Sequence, residues 1–248
     1  MNKYENQYGV SFAEDATYVD KSSYKHSYKD YDMLPKSKMV VQPPSVREVY
    51  IEIAGADGDL DLSEVLTGYP SYDSRDAEFT FTLVDRKKWD FIYSRLMNNV
   101  HGRRMRVIID EDSNYYYTGR IKVNSFASNK NTATIVINGH FDPYKKSLIA
   151  NSERWLWDPF NFETDVARDY SAIVVSGTTA VTVVGSDMPV TPVFSVSSNM
   201  TLTFEENEYQ LSSGATQMIP DIVLRGSEYT MQFAGGGTVD ISFEVGSL

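Results

Sequence analysis

A chain of 248 residues, 42% hydrophobic and with a formal charge of −11, has room for two cores and no cysteine to staple either. Disulfides and thiolate chemistry are thereby excluded, and the 17 Tyr and 12 Phe, with many Val, Ile and Thr, favour strands over helices. The opening MNKYENQYGVSF lacks the apolar stretch of a signal peptide, and no apolar run approaches the roughly 20 residues of a membrane span, so a soluble chain is expected.

The charge is unevenly shared. Residues 1–147 hold 20 Lys and Arg against 21 Asp and Glu, whereas residues 148–248 hold 3 against 13. The shift places an expected boundary near residue 147, giving domains 1–147 and 148–248. An acidic second half repels phosphate backbones and anionic lipids, which argues against specific nucleic-acid or membrane binding.

Residues 1–37 are rich in Tyr, Lys, Asp and Ser with little periodicity and read as an ordered arm or a long loop, their polarity favouring a solvated segment. In VREVYIEIA, Val49, Ile51 and Ile53 alternate with Glu48, Tyr50 and Glu52, the period of a half-buried strand. EFTFTLVD repeats it with Phe79, Phe81 and Leu83, and the stretch between carries the Gly, Asp and Pro of a loop. A helix is predicted over 86–101: Asp85 caps it, Trp89, Ile92, Leu96 and Val100 form one stripe, and Gly102 suits the left-handed stop. RMRVIID and YYYTGRIKVNSF then make a hairpin around EDSN, and TATIVINGHFDPYK adds a strand. The fold class expected is mainly β: an α+β, sandwich-like first domain with one packed helix and a hairpin, then short strands at the turn-separated spacing of a β-sandwich. In the second domain Gly235, Gly236 and Gly237 read as a hairpin turn between two strands.

Candidate chemistry is sparse. Asp57-Gly58-Asp59-Leu60-Asp61 alternates carboxylates as a Ca²⁺ loop does, yet Leu62 and Gly68 stand where that loop needs Gly and Glu, so it reads as a turn. His26, His101 and His140 fall in no zinc-ligand spacing, and His101 reads as a dipole partner at the helix end. There is no GxSxG elbow. Asp110, Glu111 and Asp112 sit in a turn, where acids are common for conformational reasons. Trp155 and Trp157 either stack on sugar rings or pack the two domains together. No catalytic residues, metal or cofactor are expected, which leaves a scaffold or binding protein, with a carbohydrate-binding module for bacterial surface glycans as the competing reading.

Several stretches, taken in order, resemble the distal tail proteins of siphophages and their prophages. These are YGVSF; VYIEIAGADGDLDLSEVLTGYPSYDSRDAEFTFTL; the Trp89 helix ending in His101-Gly102-Arg103; YYYTGRIKV with Asp142-Pro143-Tyr144-Lys145; and the terminal GGGTVDISFEVGSL. Many relatives carry Pro-Gly-Arg-Asp-Gly where this chain has Ala54-Gly55-Ala56-Asp57-Gly58. The resemblance implies a ring, typically a hexamer, built by the first domain. The ring would join the tail tube protein to the tail-tip or tail-associated lysin-type protein and leave a channel for DNA. It also implies a galectin-like β-sandwich as the second domain, holding receptor-binding or baseplate components in some relatives. The place implied is the virion tail tip, after assembly in the bacterial host cytoplasm. By loop position, Asp57, Gly58 and Asp59 are the candidate contacts between subunits.

Overall fold

The computed structural model describes residues 9–16, 19–148 and 169–248, and the chain divides into two compact units, Met1–Lys145 and Lys146–Leu248. It is mainly β with one packed helix.

The first unit holds β1 (Val10–Glu14), β2 (Lys25–His26), β3 (Met33–Pro35), β4 (Tyr50–Glu52), β5 (Asp59–Asp61), β6 (Arg75–Leu83), α1 (Trp89–Asn99), β7 (Arg104–Ile109), β8 (Tyr115–Ser128) and β9 (Ala133–Phe141). Seven of these strands form an antiparallel sheet in the order β2-β1-β7-β8-β9-β6-β3, while β4 and β5 pair only with each other. Register puts Phe79, Ile137 and Val123 in one row across β6, β9 and β8, all buried, and Glu78, Asn138 and Lys122 in the adjacent row on the other face. Helix α1 belongs to the core on the buried face: Trp89, Ile92, Leu96 and Val100 join one apolar cluster with the inward residues of the sheet. Its approach is a 3-10 turn, Arg86–Lys88, whose first free N–H groups are answered by Asp85, with the Lys87 N–H donating to its carboxylate at 3.0 Å. The helix closes at Val100, whose N–H donates to the Leu96 carbonyl, and Gly102, at φ +77°, turns the chain onward to β7.

One expectation for this unit changes. Residues 1–37 are not simply a solvated segment: Val10, Phe12, Tyr31 and Met33 lie in the core, and β1 pairs with β7 along its whole length. His101 does more than sit at the helix end: its Nδ1 accepts the Val123 N–H at 3.0 Å, tying the end of the helix to β8.

The second unit adds β10 (Lys145–Ser147), β11 (Ile173–Val184), β12 (Val193–Val196), β13 (Met200–Phe204), β14 (Asn207–Leu211), β15 (Thr216–Met218), β16 (Glu228–Ser242) and β17 (Gly246–Ser247). β16 is its spine. One edge pairs with β11 from Val184 opposite Glu228 to Ile173 opposite Val239, and the other edge takes β13 and then β12. Phe194, Leu202, Met231, Phe233, Val239 and Ile241 are fully buried in its core. The Ser147 N–H donates to the Val245 carbonyl at 2.8 Å, beside the pairing of β10 with β17.

The three glycines are not a turn. Gly235, Gly236 and Gly237 lie inside β16, opposite Gly177, Ser176 and Val175 of β11. Gly235 (φ +150°) runs against the backbone and Cβ of Met200, and Gly237 (φ +122°) against the Ser197 and Ser198 hydroxyls, so neither has room for a side chain. The DIVLRG segment contributes buried Ile222 and Leu224 but only one isolated bridge, Val190 with Leu224.

β13 and β14 meet in a two-residue turn, with Phe204 opposite Asn207 and both Glu205 (φ +47°) and Glu206 (φ +69°) left-handed. That turn type favours Asn-Gly, because a side chain bearing Cβ is strained there. Replacing Glu205-Glu206 by Asn-Gly is expected to stabilise the second unit by about 1 kcal/mol, read as a rise in its thermal midpoint; an unchanged or lower midpoint would refute the assignment of strain.

Candidate interaction surface

An arm leaves the first unit between Ser45 and Asp73. Its base is clamped by the Arg47 N–H donating to the Ser71 carbonyl, the Asp73 N–H donating to the Ser45 carbonyl, each at 2.9 Å, and by an Arg47–Asp73 ion pair. Beyond the clamp, β4 and β5 form a hairpin with Tyr50 opposite Asp61, Ile51 opposite Leu60 and Glu52 opposite Asp59. The loop joining them carries Gly55 and Gly58 at φ +85° and +76°, conformations that glycine alone adopts freely, so Asp57-Gly58-Asp59 forms the turn into β5.

The hairpin is amphipathic. Opposite residues share a face, which puts Val49, Ile51 and Leu60 on one side and Glu48, Tyr50, Glu52, Asp59 and Asp61 on the other. The alternation in the sequence is therefore real, but the half-buried strand it implied is not found. Every residue from 45 to 61 is exposed. Val49 retains 51% of its surface, Ile51 47% and Leu60 47%, and just beyond the hairpin Leu66 retains 97%. Among the described residues, none of Val49, Ile51 and Leu60 belongs to the buried cluster of the first unit. On the acidic face, Glu48 and then Asp61 raise the pKa of the Tyr50 phenol, while the Ser63 hydroxyl and backbone N–H hold the Asp61 carboxyl below the ordinary range.

The turn after β7 is the second cluster of acids, and each member has a partner. Glu111 pairs with Lys38 at 3.2 Å and Asp112 with Lys145 at 2.8 Å. Asp110 closes a network that sequence reasoning missed. Its Oδ2 accepts the Gly9 N–H at 2.8 Å and lies 2.9 Å from His26 Nε2. His26 Nδ1 meanwhile accepts the N–H groups of Tyr28 and Lys29 at 3.1 and 3.2 Å, so the ring carries its proton on Nε2 and donates it to Asp110. The bond from His26 holds the Asp110 carboxyl below its usual value, against an opposing effect of burial. Three remote segments are thus joined, and the signal was only an acidic turn and a lone histidine far apart in sequence. His140 Nδ1 lies 2.7 Å from Asp76 on the exposed face of the sheet. Among the described residues no group of three or more His, Cys, Asp or Glu is placed to hold a metal. Trp155 and Trp157 lie outside the described residues.

Because the folded carboxyl of Asp110 titrates below its unfolded counterpart, its contribution is complete above the ordinary carboxylate value near pH 4 and is lost as pH falls below that. Asp110→Ala is expected to cost about 1–3 kcal/mol at neutral pH and to flatten the acid limb of a stability-against-pH curve; an acid limb identical to that of the unaltered chain would contradict this. Ile51→Ser with Leu60→Ser, by contrast, is expected to leave the stability of the isolated chain within about 0.5 kcal/mol, since neither side chain is buried; a large fall in chemical-denaturation midpoint would show the arm packed on its own core.

No family model matches the sequence, and no curated protein matches it. The fold does have a counterpart. The crystal structure of Dit (gp 19.1) of phage SPP1, described as a paradigm of the hub adsorption apparatus in phages that infect Gram-positive bacteria, superposes with a TM-score of 0.57 at 13% identity. The superposition covers 96% of this chain and 99% of that one, so the likeness extends over both units and is a likeness of fold.

Proposed function

We propose that this chain is a structural protein of a bacteriophage tail, a non-enzymatic hub at the tail tip. The observation that carries the reading is the whole-chain likeness of fold to the SPP1 hub protein, over 96% of the residues. The ordered set of sequence stretches that resemble distal tail proteins supports it independently. The first unit, which covers most of residues 1–147, is the ring-forming domain, and six copies close a ring that leaves a channel for DNA. The second unit is the peripheral domain, galectin-like in its relatives, and its surface receives receptor-binding or baseplate components. The tail tube protein stacks on one side of the ring and a tail-tip or lysin-type protein on the other. The chain assembles in the bacterial host cytoplasm and ends in the virion.

Physical features accord with this. A closed ring follows from repeated head-to-tail contacts, which need two different surfaces on each subunit. The arm bearing Asp57, Gly58 and Asp59 is one such surface, tied at its base by the clamp and exposed from residue 45 to 61.

Light scattering on the purified chain, followed by negative-stain imaging of the same peak, tests the reading. A species near six times the 28.0 kDa chain mass, seen as a ring with a central hole, is expected. A chain that stays monomeric at every concentration, and also with tail tube protein added, would overturn it.

A further inference from the structure

The arm is an ordered hairpin without a core. Two-stranded hairpins are marginal in water unless a third strand or another layer covers them, and this one shows an apolar face and an acidic face to solvent at once. Glu52 and Asp59 stand directly opposite each other, an arrangement that repels within the hairpin itself. Both the exposed apolar side chains and the unrelieved acids call for a partner that is apolar in part and cationic where the acids lie.

The charge map indicates where that partner is. Residues 47–64 hold one basic and six acidic side chains, whereas the rest of Met1–Lys145 holds 18 basic and 15 acidic. The second unit is strongly acidic and would repel the arm. Within the first unit, the exposed sheet face carries the inverse of the arm's defect. Arg104 on β7 stands directly opposite Arg120 on β8. Arg104 is answered by Asp15 and Asp142, whereas among the described residues Arg120 donates to the Gly102 carbonyl alone. Two residues on, and on the same face, Lys122 is also exposed. Neither Arg120 nor Lys122 has a carboxylate partner among the described residues.

We propose that the β4–β5 arm docks onto the first unit of a second copy of this chain, its tip acids Asp57 and Asp59 meeting Arg120 and Lys122 of that copy while the neighbouring surface covers Val49, Ile51 and Leu60. The inference rests on the ring reading and specifies its head-to-tail contact. Opposite charge fixes partner and register, and apolar burial supplies the stabilisation.

A charge swap tests it. One chain carries Asp57→Lys with Asp59→Lys, and a second carries Arg120→Glu with Lys122→Glu. All four positions are exposed, so both chains are expected to melt like the unaltered one. Each alone would set like charges together at every contact and lose assembly. Their equimolar mixture would restore it, as an alternating ring seen by light scattering. If either altered chain assembles by itself as the unaltered chain does, the docking is wrong and the ring reading stands. A mixture that stays apart also refutes the docking. An unaltered chain that never assembles removes the ring reading, and this inference with it. Hydrogen exchange gives a second measurement: amides of residues 48–62 should exchange fast in the monomer and be protected in the assembled peak. An unprotected arm in an assembled ring overturns the proposal.

Discussion

The shared register of β6, β9 and β8 is the constraint on which the first unit depends. It aligns Phe79 with Ile137 and Val123, and Phe81 with Ile135, so that one continuous apolar face exists for α1 to cover. A slip of one residue would turn that face outward and bring Glu78, Asn138 and Lys122 to the core. The same alignment fixes the outer face. Arg104, Arg120, His140 and Asp76 fall in a single row across four strands because their inward neighbours are locked. The charged face is thus as well defined as the core beneath it, without packing of its own.

Structure close to the chain was legible. The stripe Trp89, Ile92, Leu96 and Val100 packs as its spacing implies, while Asp85 caps the 3-10 turn that leads into α1 and Gly102 turns the chain two residues beyond the Val100 cap, because each depends on neighbours within a turn or two. What depends on distant partners was not. Val10, Phe12, Tyr31 and Met33 are too sparsely spread among polar residues to announce a core contribution; β7, remote in sequence, pairs with the whole of β1 and gives it its place beside β2. Gly235–Gly237 looked like a turn because close approach of Met200 and Ser197 cannot be read locally. β14 and β15 are short and mostly exposed, so little apolar alternation marks them.

The candidate site shows the same division in sharper form. The Asp57-Gly58-Asp59 turn was readable from its residues, and so was the alternation of Val49, Ile51 and Ile53. The alternation reports that a face is destined for burial and is silent on which molecule buries it. In most strands the answer is the same chain, and here about half of each of these side chains stays open among the described residues. A half-buried pattern on an exposed hairpin is therefore informative: it marks the surface on which the proposed docking draws. The acids of the Asp110 turn point the other way, for each is engaged internally and serves the fold.

The long ribbon of β11 and β16 has a consequence for how the second unit forms. Its nearest residue pair joins Val184 to Glu228, with β12 to β15 lying between them in the chain, so the ribbon cannot zip from a local turn. Closing so large a loop costs entropy before any pairing repays it. The β13–β14 hairpin, with its two-residue turn, has no such delay and can form early despite its strained corner. β16 then has a preformed edge to join through Thr201 to Thr203, while β11 and β12 each have to close a loop of more than forty residues to reach it. Until β11 is in place one edge of β16 stays open to other strands, and the glycines within it offer a passing strand no side chains to grip.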